Sequence, residues 1–162
     1  MYRKRTSYDW TLEILSLLCL IVTLYPLLFY SDISREVLIP IHYNMYGEAD
    51  GWGGRHFLLV TPLISVGLYF LLSILERSSS KINFPFKVNS KNVDIFYRLR
   101  VRMLRHLKLF SMLIFAYMNI SSYFIATGKG YGELNKYIMI VLLAGVLVTV
   151  ILYYFKMMAY KD

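Results

Sequence analysis

Charged residues vanish from four stretches of the chain and crowd between them. Positions 14–30, 57–75, 109–127 and 137–155 contain no Asp, Glu, Lys or Arg. At about 1.5 Å of rise per residue each stretch approaches the roughly 30 Å of a hydrocarbon core, the first with help from Thr11 and Leu12. A backbone amide in lipid must find its partner inside the protein, so the pattern predicts helices rather than strands. The expectation is an all-α integral membrane protein of four transmembrane helices, a single membrane domain over residues 1–162. Its parts are a first hairpin of spans over 11–77 with a connecting loop at 31–56, a basic segment at 78–108, and a second hairpin at 109–158.

Composition sharpens this picture. Hydrophobic residues make up 57% of the chain, above the roughly 45–50% usual for globular domains, and a water-facing shell cannot hide that much apolar surface. The net charge of +8 is unevenly placed. Arg3, Lys4 and Arg5, the nine basic residues of 76–108, and Lys156 and Lys161 put fourteen on one side of the four spans. Arg35, Arg55, Lys129 and Lys136 put four on the other. The basic side stays in the cytoplasm, so both termini and the middle segment are expected inside, with anionic lipid rather than nucleic acid as the partner of the charge. The run after Met1-Tyr2-Arg3-Lys4-Arg5 is too long for a signal h-region and ends in Leu27-Leu28-Phe29-Tyr30 rather than small residues, so it is expected to remain as an anchor. Pro26 is expected to kink it near its outer end. Tyr8, Trp10, Tyr30, Tyr131, Tyr137, Tyr153 and Tyr154 fall where an interfacial aromatic belt belongs. Cys19 is the one cysteine, so no intrachain disulfide forms.

The loop 31–56 is rich in turn-forming residues. Pro40 keeps the chain extended, Asn44 and Asp50 can bond back to nearby amides, and Gly47, Gly51, Gly53 and Gly54 supply positive φ. An ordered extracytoplasmic loop is expected, with Trp52 free to dip into the headgroups. The run Ile39-Pro40-x-His42-Tyr43-Asn44-x-x-Gly47-x-x-Asp50-Gly51-Trp52-Gly53 resembles the signature of small bacterial membrane proteins related to the sporulation-delay toxin immunity protein (SdpI-like). The resemblance covers residues 11–77 and extends more thinly through Asn83-x-Pro85, Asn92 and Tyr97-x-x-Arg100. Arg35-Glu36 stands where that family usually has Leu-Pro, and Arg55 where it has Lys. The resemblance implies four or more helices in a bacterial cytoplasmic membrane. For the family's namesake it implies resistance to an extracellular peptide toxin, with signalling to a cytoplasmic repressor.

Candidate chemistry is sparse. His42, Asp50 and His56 are weak candidates for a metal site, since imidazole and carboxylate suit zinc-like ions but the spacing fits no ligand motif. The plainer expectation is that His42 and Asn44 bond the loop backbone while Asp50 caps the turn into the second span. A third is a recognition surface, in which His42 belongs to the residue type that changes charge near neutral pH. In 92–108 the apolar spacing of Phe96, Leu99, Met103 and Leu107 predicts a basic amphipathic helix on the inner leaflet, capped by Asn92. Arg98, Arg102, Arg105 and Lys108 would there meet lipid or a cytoplasmic regulator protein, and His106 would be partly exposed. Glu13 and Glu76, at the inner ends of spans one and two, can pair with those arginines. Asn119, Ser121 and Ser122, with Gly67, Ala144 and Gly145, suit helix packing in lipid. No phosphate-cradling loop, H-E-x-x-H or G-x-S-x-G occurs, and Gly128-x-Gly130-x-Gly132 follows a membrane span rather than a strand. No cofactor and no catalytic residue is expected. The sequence therefore points to a non-enzymatic receptor or immunity-like protein whose outer loop meets an extracellular peptide or other envelope-active agent. The alternatives are a metal-dependent membrane enzyme using His42, Asp50 and His56, or a structural accessory subunit.

Overall fold

The computed structural model describes residues 5–44, 49–78, 87–89, 91–129 and 136–160, and within them four helices are long and apolar enough to cross a membrane. Helix α1 (Ser7–Leu24) starts at a capping box. Thr6 Oγ1 accepts the Asp9 amide at 3.3 Å, and Asp9 Oδ2 accepts the Thr6 amide at 2.9 Å. The helix ends as Pro26 approaches, and a 3₁₀ helix takes over from Tyr25 to Asp32. Proline has no amide hydrogen for the Val22 carbonyl four residues back. The Tyr25 N–H serves that carbonyl instead, over the tighter three-residue span. The expected kink is thus a change of helix type.

Helix α2 (Phe57–Arg77) buries Leu58, Pro62, Ser65 and Glu76 on one side. Helix α4 (Lys136–Met158) turns many apolar side chains outward, among them Ile140, Val141 and Leu147, as a helix in contact with lipid can. At Gly145 an added Cβ would overlap the Phe110 ring, so this glycine lets α4 lie close to α3. Gly67 has nothing within 4 Å and is no packing notch.

The central element is α3, a single helix from Val93 to Ala126. Its 34 residues span about 51 Å, well beyond a hydrocarbon core. The basic segment is therefore not a separate helix on the inner leaflet but nearly the first half of this rod. Its buried stripe is Phe96, Arg100, Leu104, Lys108, Met112, Ala116, Asn119 and Tyr123, repeating every three or four positions across the basic and apolar portions alike. Leu99, Met103 and Leu107 are only half-buried. Of the expected apolar stripe only Phe96 belongs to the buried one, because α1 and α2 offer carboxylates to the face that carries Lys108. In the last quarter of α3 the Asn119 amide donates to the Thr23 carbonyl at 2.7 Å, a buried bond between α3 and α1.

The fold is not purely helical. Between the 3₁₀ helix and α2 the chain forms an antiparallel hairpin of β1 (Leu38–Tyr43) and β2 (Ala49–Gly54), pairing Ile39 with Gly53, Pro40 with Trp52 and His42 with Gly51. Alternation is hidden in the sequence because β2 is glycine-rich and the register is irregular around Pro40, His42 and Tyr43.

Candidate functional site

The hairpin is seated on the helices by one apolar cluster. Ile33, Ile39, Leu58 and Tyr123 are all buried, with Phe29, Val37, Phe57 and Phe124 packed against them. Arg55 ties the base. Its guanidinium donates to the Ile33 carbonyl and, at 3.4 Å, to the Tyr30 carbonyl, and lies 4.8 Å from the Tyr30 ring centroid. The Ile33 carbonyl thereby gains a charged donor, and the Tyr30 carbonyl a second donor beside the Ile33 N–H. The sequence shows Arg55 only as a basic residue beside the loop.

Two glycines are required here for space rather than for backbone freedom. A Cβ on Gly51 would stand 2.8 Å from the His42 Cβ, and one on Gly53 would meet the Phe57 ring at 2.5 Å. Neither has positive φ; among the described glycines only Gly128 does, which corrects the expected reason for the glycines. Pro40 is buried, and Gly47 lies outside the described residues. Asn44 is half-buried just after β1.

Leu38, Ile41 and Trp52 of the hairpin are exposed, Ile41 on the Phe57 side of Gly53, and so is the pair His42–Asp50. His42 Nδ1 lies 2.5 Å from Asp50 Oδ1. Asp50 is thus engaged with His42 instead of capping α2, whose N-cap is His56, without a side-chain bond. His56 stacks on Phe57, ring centroids 4.6 Å apart. His42 and Asp50 do come together, but among the described residues no three His, Cys, Asp or Glu side chains are grouped to hold a metal ion.

The opposite end of the bundle holds a denser assembly. Lys108, fully buried, hydrogen-bonds Glu13 at 3.0 and 3.1 Å and Ser73 Oγ at 3.1 Å, and forms an ion pair with Glu76 Oε1 at 2.6 Å. Three ammonium hydrogens thereby face three acceptor groups on α1 and α2. Arg105, also buried, reaches Asp9 Oδ1 at 2.6 Å and Glu76 Oε2 at 3.1 Å. Tyr69 donates to Glu13 at 2.6 Å, and Arg5 approaches Glu13 at 3.5 Å and Glu76 at 3.8 Å. Four cations (Arg5, Arg102, Arg105, Lys108) thus meet three carboxylates (Asp9, Glu13, Glu76), Arg102 through its Nε 3.6 Å from Asp9. Ions this deep persist only when paired and hydrogen-bonded, because desolvation otherwise exceeds their attraction.

The expected pairing of Glu13 and Glu76 with the basic segment is present, with Lys108 as its centre. Of the four residues expected to face lipid or a partner, Arg98 and Arg102 are exposed, whereas Arg105 and Lys108 are inside this cluster. His106 lies between helices: Tyr8 Oη is 2.7 Å from its Nε2, and its Nδ1 is 2.7 Å from the Arg102 carbonyl. The latter contact requires Nδ1 to carry hydrogen, so with a neutral ring Nε2 accepts from Tyr8. Asn92 shows no capping bond at α3. Its amide instead donates to the carbonyls of Lys87 and Tyr160, both at 3.2 Å.

Compared with known families, residues 17–66 match a domain of unknown function, DUF1648. The match runs from within α1 through the hairpin into α2. None of the curated proteins and none of the solved structures matches the chain.

Proposed function

We propose that the chain is a non-enzymatic receptor or immunity-type protein of a bacterial plasma membrane, with both termini in the cytoplasm and the hairpin outside. In this reading it is a relative of the SdpI-like proteins. The hairpin recognises or blocks an envelope-active agent such as a peptide toxin, and the basic segment at 78–108 faces a cytoplasmic regulator. The observation that supports it is the hairpin's two-sidedness. One side is fixed by Ile39 and Arg55 to three membrane segments, while Leu38, Trp52 and the His42–Asp50 pair stay uncovered. A preorganised aromatic and aliphatic patch beside a polar pair is the usual make-up of a protein recognition surface. A metal-dependent enzyme has less behind it, with two of its three donors side by side and His56 stacked elsewhere.

The test compares survival of cells with and without the gene under a panel of envelope-active peptides. Protection by the intact chain is expected, and Trp52→Ala should abolish it while the protein still reaches the membrane. Equal sensitivity of all strains to every peptide would end the receptor reading. Protection that depends on added zinc and is lost in His56→Ala would favour the enzyme.

A further inference from the structure

A cavity of about 300 Å³ opens beside the ionic cluster at the end remote from the hairpin. Arg5, Arg98, Arg102 and Arg105 line it, together with the carboxylates of Asp9 and Glu76. Four cations against two anions leave the wall positive. The two carboxylates are already engaged, Asp9 by Arg105 and Thr6, and Glu76 by Arg105 and Lys108. Arg98 has no ion pair among the described residues, and Arg102 pairs with Asp9 only through its Nε while its guanidinium lies 5.9 Å from the Tyr8 ring centroid. Arg98 spends its Nε on the Asp94 carbonyl of its own helix at 3.3 Å, and Arg102 Nε stands 3.6 Å from Asp9. No hydrogen bond joins the terminal nitrogens of either to the described residues.

The two arginines are four positions apart, hence neighbours on one face of α3, about 5–6 Å apart at Cβ. Paired guanidinium forks at that spacing suit the tetrahedral oxygens of a phosphate. Ile95, Leu99 and Val101 add an apolar lining. The exposed Tyr8 and Trp10 on the adjoining turn of α1, with Arg5 4.9 Å from the Trp10 ring, mark the level of a membrane–water boundary.

We propose that this pocket binds a phosphate group, and that its apolar lining and interfacial level favour a phosphate carried on an anionic lipid. The proposal is independent of what the hairpin recognises, since the two lie at opposite ends of the bundle. It differs from a general attraction of basic residues to the leaflet in being stoichiometric and in depending on two named side chains.

Native mass spectrometry of the full-length chain in detergent, with phosphatidylglycerol or phosphatidylcholine added, reads this directly. One phosphatidylglycerol per chain should be retained in preference to phosphatidylcholine, and the double variant R98Q/R102Q should weaken retention about tenfold or more. The control K87Q/K91Q, equal in charge change and exposed, should retain lipid as the parent does. Arg98→Gln alone removes a side chain with no acidic partner among the described residues and keeps the test open should the double variant unfold. A thermal shift with inorganic phosphate but no lipid retention would support the pocket and assign it free phosphate. Equal losses in the control, or neither lipid retention nor a phosphate shift, would overturn the proposal.

Discussion

Lys108 sits at the first boundary of the third apolar stretch, where a sequence reading makes it a surface charge. Its burial follows from what faces it: Glu13 is 95 residues earlier and Glu76 is 32 earlier, distances that local periodicity cannot register. The carboxylates themselves were visible as candidates for pairing, because a charge at the end of an apolar span needs a partner. Asp9 was not, since a residue in a first turn has the helix dipole as a sufficient local reason. Removing the ammonium alone takes the closest cation from the buried Glu76 and the half-buried Glu13. Lys108→Met should cost about 3–5 kcal/mol, read from unfolding in mixed micelles with increasing SDS. Adding Glu13→Gln and Glu76→Gln should recover part of that loss, because neutral amides tolerate burial better. A loss below about 1 kcal/mol in the single variant would place Lys108 in water, among surface ion pairs.

At the scale of elements, the four apolar windows were legible because lipid demands long, charge-free helices. Their ends were not, since α1 and α3 both continue through charged positions once partners are supplied across the bundle. The hairpin was legible only as an ordered loop. Strand alternation needs side chains to alternate, and Gly51, Gly53 and Gly54 have none, so the pairing is set instead by close backbone approach and by Ile39 entering the core. The continuity of α3 separates two geometries. Spin labels at Asp94 and Ile125, on one straight helix, should lie about 46 Å apart. Were the first part folded flat against the leaflet at a right angle near Lys108, about 33 Å would be measured by pulsed electron resonance.

For the whole molecule, the distribution of basic residues sets the expected orientation and with it the surroundings of each site. In a Cys19→Ser background, a membrane-impermeant thiol reagent applied to intact cells should label Ile41→Cys and spare Lys91→Cys. The reverse pattern would turn the hairpin toward the cytoplasm and remove it from contact with any extracellular agent. The ionic cluster also bears on how the chain is made. Glu13 leaves the ribosome 95 residues before Lys108. At roughly 5–20 residues per second, the nascent first span waits about 5 to 20 s for the cation that neutralises it. During that interval Arg5 is the nearest available counter-charge, so full insertion of the first span is expected to be completed only once the third span has been translated.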